Sequence, residues 1–339
     1  MEKGAPVAIV DLNERGMLLS DQGGQPVPGN RVPEYLARSL PIPHWATDIY
    51  VHVHGWQTLP DAATRQAQLL LGRALQQRAV RPDYYLNLSR DGFRPWLVSV
   101  RWPSSSRSSL SGYRRIRDRA HEMGAEGHGQ AAYVISHLLG YLDKNRTSPG
   151  SHLLKNRFGQ FLHLCGHSFG GRFLCEAVQW AAGQKTADLL SWSAGTDPQR
   201  PFTVDSLLVF QMASPRDALE TLFPALLPRR ERDHWAPLSG PIVLTYSRHD
   251  RATGIWHRQA EGSVGIGYAG ARRAPTHVHS IQLLPLDRAY VMDDLDHRVV
   301  NVDASWLFRR GRLSFAGAHS DINYPESAHL LLSLAELSR

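Results

Sequence analysis

Two periods alternate along this chain. Short apolar runs at 49–53, 96–100, 161–165, 207–212 and 242–246 are nearly free of charge, as strands buried on both faces require. Between them the spacing becomes helical. Ala63, Ala67, Leu70, Leu71 and Ala74 share one face of 61–76, and Ala131, Val134, Ile135, Leu138, Leu139 and Leu142 form a second stripe. Phe173, Leu174, Ala177, Val178 and Ala181 form a third before Gly183, and 325–337 closes the chain as a helix. Strand followed by helix, repeated, predicts an α/β fold with a largely parallel sheet covered on both faces.

Less regular stretches join these elements. The runs 7–10 and 17–19 flank Asn13-Glu14-Arg15-Gly16 and predict an antiparallel hairpin, with 1–47 as hairpin and lead-in. A serine-rich loop, 104–111, carries the chain toward the helix at 131. The stretch 216–240 sets Leu219, Leu222, Phe223, Leu226 and Leu227 beside prolines and charges, which fits a cap over a site or a surface helix packed on the sheet. With no internal repeat, one domain over 1–339 is the simplest organisation.

Chemistry concentrates where the run 161–165 meets the helical stripe, at Gly166-His167-Ser168-Phe169-Gly170. A strand reversing into a helix within a few residues strains the serine, and flanking glycines remove the Cβ atoms that would collide. Ser168 is the expected nucleophile. Its base should come from a late loop, where His319 stands in Gly317-Ala318-His319-Ser320-Asp321; His249 is the rival. For the acid, Asp250 follows the run 242–246 at its carboxyl end, with Asp217, after the preceding strand, as the alternative and Asp303 less favoured. Oxyanion donors are expected from the backbone amides of Trp56, after His54-Gly55, and Phe169, at the start of a helix. His167, Trp192, Phe223, Trp235 and Trp256 are candidates to line an apolar substrate pocket.

Bulk properties narrow the setting. The 339 residues carry 38 basic against 31 acidic side chains, net +7, and only Lys3, Lys144, Lys155 and Lys185 are lysines. Arginines fall in short groups such as Arg229-Arg230, Arg272-Arg273 and Arg309-Arg310, not as a basic helix, which argues against nucleic-acid binding. Cys165 and Cys175 read as buried thiols, not a disulfide framework. No apolar run is long enough to cross a bilayer and the first residues lack a secretory signal, so a cytoplasmic protein is expected.

Two motifs point elsewhere and are set aside. Gly265-Ile266-Gly267-Tyr268-Ala269-Gly270 matches a dinucleotide fingerprint, but little strand precedes it and Pro275 follows; a mobile glycine loop near the site is expected, with no cofactor. His52-Val53-His54 and His277-Val278-His279 lack the supporting ligands of a metal site.

Taken in order, His54-Gly55, the Ser168 elbow, Asp250 and His319 resemble the α/β-hydrolase superfamily over nearly everything after Asp48. Arg101-Trp102-Pro103-Ser104, then Tyr113 and Asp118-Arg119-Ala120, is similar to an uncharacterised bacterial group of lipase-like hydrolases. The resemblance implies an eight-stranded, mostly parallel sheet, no cofactor, and a serine attacking an acyl carbon, and the expected substrate is a small carboxylic ester, with a lipid-like one among the candidates. Trp56 departs from the smaller or polar residues often found at the oxyanion turn. A thioesterase, an acyltransferase or cyclase using the same acyl-enzyme, and a non-catalytic binding protein remain open alternatives.

Overall fold

The computed structural model describes residues 6–21, 24–124, 130–146, 160–183, 204–227, 238, 240–272 and 278–339. Eight strands form one sheet: β1 (Val7–Asp11), β2 (Asp48–Val53), β3 (Pro95–Arg101), β4 (Phe161–His167), β5 (Ser206–Phe210), β6 (Ile242–Tyr246), β7 (Val278–Gln282) and β8 (Val299–Asp303). They lie in the order β1-β3-β2-β4-β5-β6-β8-β7, and every pairing is parallel. All strands therefore point their carboxyl ends to one edge, where loops from distant parts of the chain meet.

Side-chain alternation divides the apolar residues between the two faces. Ile49, Val51, Leu162, Leu164, Leu207, Val209, Ile242 and Leu244 face one core. There the sheet is covered by α1 (Val32–Ser39), α3 (Leu110–Gly124), α4 (Ala131–Arg146) and α5 (Phe169–Gly183). Tyr50, Leu97, Cys165, Leu208, Phe210 and Val243 face the other, under α2 (Pro60–Val80) and α6 (Pro325–Leu337). Helix α6 is tied down at its end, where Arg339 pairs with the buried Asp48 carboxylate at 2.8 Å, and His163 also contacts that carboxylate at 3.2 Å. This polar cluster lies at the amino ends of β2 and β4, opposite the candidate site.

Several expectations need correction. The run 7–10 joins the main sheet as β1, parallel to β3, and the expected antiparallel turn about 13–16 forms only beyond that run, through the Leu12 to Leu18 bridge and the Asn13 and Leu19 amides donating to Met17 O and Asp11 O. Strand β1 can pair with β3 because that edge is open, and a ladder of five residues outweighs a short hairpin. The serine loop does not run on to 131: α3 intervenes, with Tyr113, Ile116, Ala120 and Met123 buried on one face and arginines on the other. Strand β5 stops at Phe210, because Gln211 turns the chain with φ +50°. In the segment 216–240, the described part is a short helix, Ala218–Thr221, and a 3-10 turn, Pro224–Leu226. Phe223 and Leu226 are buried and the Ala225 amide donates to Gln179 on α5, so this part packs on a core helix. Residues 228–237 and 239 lie outside the described residues.

Candidate active site

Ser168 sits between β4 and α5 with φ +55°, in the left-handed region that a non-glycine residue occupies only under strain. Its amide donates to Phe210 O at 2.9 Å, holding the turn against β5. Gly170 is required by contact: a methyl group there would overlap the Val53 and His54 carbonyl oxygens at the end of β2. Those are backbone atoms of a central strand and cannot move aside cheaply. Gly170→Ala is expected to lower the stability against urea by about 2 kcal/mol or more; an unchanged midpoint would show that the approach is looser than this.

Around the serine, the chain brings together residues far apart in sequence. His319 Nε2 lies 2.7 Å from Ser168 Oγ, and His319 Nδ1 lies 2.8 Å from Asp250 Oδ2. A carboxylate only accepts, so Nδ1 carries the proton and Nε2 presents its lone pair to the hydroxyl. Asp250 is fully buried, and besides His319 it accepts from the Thr253 amide at 3.0 Å and Gln211 Nε2 at 3.2 Å. Asp217 instead stands at the start of the 218–221 helix, Asp303 accepts from the Ser305 amide, and neither has a contact with His319 among the described residues.

The two loops that carry the acid and the imidazole are bound to each other. Asp250 bridges to Gly317, the Ala318 amide donates to His249 O at 2.9 Å, and a single π turn, Ala252–Trp256, follows the carboxylate. Asp321 pins the far side of the His319 loop by accepting from the Arg309 and Arg310 amides and the Tyr324 hydroxyl. His167 also braces it: its Nε2–H donates to His319 O at 2.8 Å, which places this ring against the loop. Burial, reinforced by the neighbouring His319 ring, pushes the His167 pKa well below the ordinary value.

Gly55 passes beside the elbow so closely that a Cβ there would lie 2.7 Å from Ser168 Cβ. The Gly55–Trp56 segment therefore runs alongside the hydroxyl. Among the described residues no acceptor is found for the Trp56 or the Phe169 amide. The next residue, Gln57, has φ +59°; with Ser168 and Gln211 it completes the three non-glycine residues of positive φ among those described. All three follow the carboxyl ends of strands, Gln57 after β2, Ser168 after β4 and Gln211 after β5, at the edge of the sheet that carries Ser168.

Behind this turn, the motif residues of 101–120 have mechanical roles. The Trp102 amide donates to His54 Nε2 at 3.1 Å and the Trp102 indole to His54 O at 2.7 Å, locking the ends of β2 and β3 together. Arg119 donates to Pro103 O at 3.0 Å and pairs with Glu14 at 2.9 Å. His54 and His52 are held neutral by burial, with pKa values lowered to about 4 and about 3. In the unfolded chain both would titrate near 6.5. Their contribution to stability is thus complete above pH 6.5 and is lost as the pH falls toward 4 and 3, roughly 3 kcal/mol for His54 alone. Urea titrations stepped downward from neutral pH should show this loss, and His54→Gln should make it shallower.

An aromatic wall flanks the site. Tyr113 meets the Trp56 ring edge-on at 5.3 Å and Phe169 at 5.7 Å, while Phe315 stacks on Trp256 at 4.3 Å and meets Trp56 at 6.1 Å. The Trp56 indole is held by Ser106 Oγ at 2.6 Å. Tyr113 is buried and its hydroxyl has no hydrogen-bond partner among the described residues. Removing that hydroxyl should relieve a desolvation penalty, so Tyr113→Phe is expected to gain about 1 kcal/mol of stability; a loss would mean that the hydroxyl is satisfied.

Of the proposed pocket residues, Trp256 belongs to this wall and Phe223 is buried in the core, while Trp192 and Trp235 lie outside the described residues. Sequence reasoning missed Gln211 and Phe315. Phe315 had a signal in its closeness to His319; Gln211 had none beyond following an apolar run. The glycine motif at 265–270 is pinned rather than mobile: the Gly265, Ile266 and Gly267 amides donate to Thr253, Ser214 and Met212 carbonyls. Among the described residues no cluster of three or more histidine, cysteine or acidic side chains is arranged to hold a metal.

A scan of the chain against protein-family models finds no match, and a search of curated proteins finds none.

Proposed function

We propose that this protein is a serine hydrolase of the α/β-hydrolase type, cleaving a carboxylic ester through an acyl-enzyme. The observation that carries the reading is one continuous hydrogen-bonded chain, Ser168 Oγ to His319 to Asp250, with the serine in a strained elbow beside the Trp56 and Phe169 amides. A capping serine in an ordinary turn has no need of a base oriented by a buried carboxylate.

In the first step His319 Nε2 takes the Ser168 proton as Oγ bonds to the acyl carbon, and the carbonyl π pair moves onto oxygen. The Trp56 and Phe169 amides stabilise that oxyanion, and Asp250 stabilises the imidazolium. The oxygen pair returns, the ester C–O bond breaks, and Nε2–H protonates the leaving alcohol. Water then repeats the sequence with the same base, releasing the acid and restoring Ser168.

Ser168 and Asp250 are fully buried and His319 nearly so, so the electrostatic interactions of this step act in a medium of low dielectric. A fluorophosphonate probe, with p-nitrophenyl esters of increasing chain length, tests the proposal. Labelling confined to Ser168 together with ester turnover is expected; a folded protein that takes no label would instead favour a binding role.

A further inference from the structure

We propose that the loop bearing His319 is also a docking surface for an anionic lipid bilayer. Trp306, Leu307, Arg309, Arg310, Arg312 and Tyr324 line an open cavity of about 600 Å3. Arg309, Arg310 and Arg312 are exposed, and among the described residues none of them forms an ion pair with an acidic side chain. Three permanent positive charges within four residues attract phosphate-bearing surfaces.

What selects a bilayer over another polyanion is the apolar side chains set among the charges. Leu313 is 88 % exposed and Trp306 43 % exposed. A leucine held out in water beside arginines gains by entering the acyl boundary while the guanidinium groups stay with the headgroups. A nucleic acid offers it no such medium.

The loop is also built to keep its shape. The Arg309 and Arg310 amides are held by Asp321, and Arg251 donates to the Leu313 and Ser314 carbonyls at 3.4 and 3.0 Å. Docking here would bring lipid to the segment that positions His319. The inference goes beyond the proposed hydrolysis, and vesicle binding can be read whether or not the protein cleaves an ester.

The test uses the full chain with vesicles of phosphatidylcholine alone or mixed with an equal part of phosphatidylglycerol. Sedimentation should show binding to the mixed vesicles, weakened by salt. The triple variant Arg309→Ala, Arg310→Ala, Arg312→Ala should bind roughly 100-fold less, about fivefold for each arginine near the surface. Because Cys165 and Cys175 are buried, Leu313→Cys offers a specific labelling site, and an environment-sensitive fluorophore there should shift to the blue on mixed vesicles. Equal binding to both vesicle types, an unchanged triple variant, or a label that stays in water would overturn the proposal. So would binding to a single-stranded oligonucleotide as tight as to the mixed vesicles.

Discussion

Ser168→Ala should leave a folded protein whose ester turnover has fallen by about a millionfold, with KM little changed. Such a loss reflects how little the rest of the site can do without a nucleophile. The Trp56 and Phe169 amides would still polarise a bound carbonyl, so a residual rate above that of water is expected. His319 would lose the hydroxyl that lies 2.7 Å from Nε2, a local change that a melting curve would register as small. Single-turnover kinetics on a p-nitrophenyl ester makes the measurement. A variant within tenfold of wild type would mean that the elbow serine is not the attacking group.

Asp250→Asn should lower kcat by about 10,000-fold while the overall structure persists. The direction follows from the donors that surround this carboxylate. Oδ1 accepts from the Thr253 amide, a donor that cannot change its role, whereas Oδ2 accepts from Gln211 and His319. An asparagine satisfies Thr253 only by turning its oxygen there and its NH2 toward the other two. Gln211 can adapt by rotating its amide, because its Oε1 is buried with no partner among the described residues. His319 then adapts by moving its proton from Nδ1 to Nε2, which removes the lone pair that should take the Ser168 proton. Proton NMR of the ring would detect the exchanged tautomer independently of rate. Wild-type turnover in this variant would remove Asp250 from the mechanism.

Much of this architecture was legible because it depends on local pattern. The apolar runs became β2 to β6 nearly residue for residue, and three helical stripes became α2, α4 and α5. The elbow was legible for a similar reason: a positive φ at Ser168 and the close passage of Gly170 by β2 both follow from a strand turning directly into a helix. Helix α3 was obscured because its exposed face carries Arg114, Arg115, Arg117, Asp118 and Arg119, which read as loop beside the preceding serines. Strands β7 and β8 are short, and β7 is a half-buried edge whose residues need not be apolar.

By itself, then, the amino-acid pattern determined the alternating layers, the strained serine and the order in which serine, acid and imidazole occur. Period and turn chemistry act between neighbours, and a linear reading captures them. Tertiary structure decided the choice between Asp250 and Asp217 as the carboxylate in contact with His319, the parallel placement of β1, and the bracing of the site by Gln211, His167 and Asp321. Those outcomes depend on which strand ends become neighbours in the sheet, a competition between distant pairings that no local window contains.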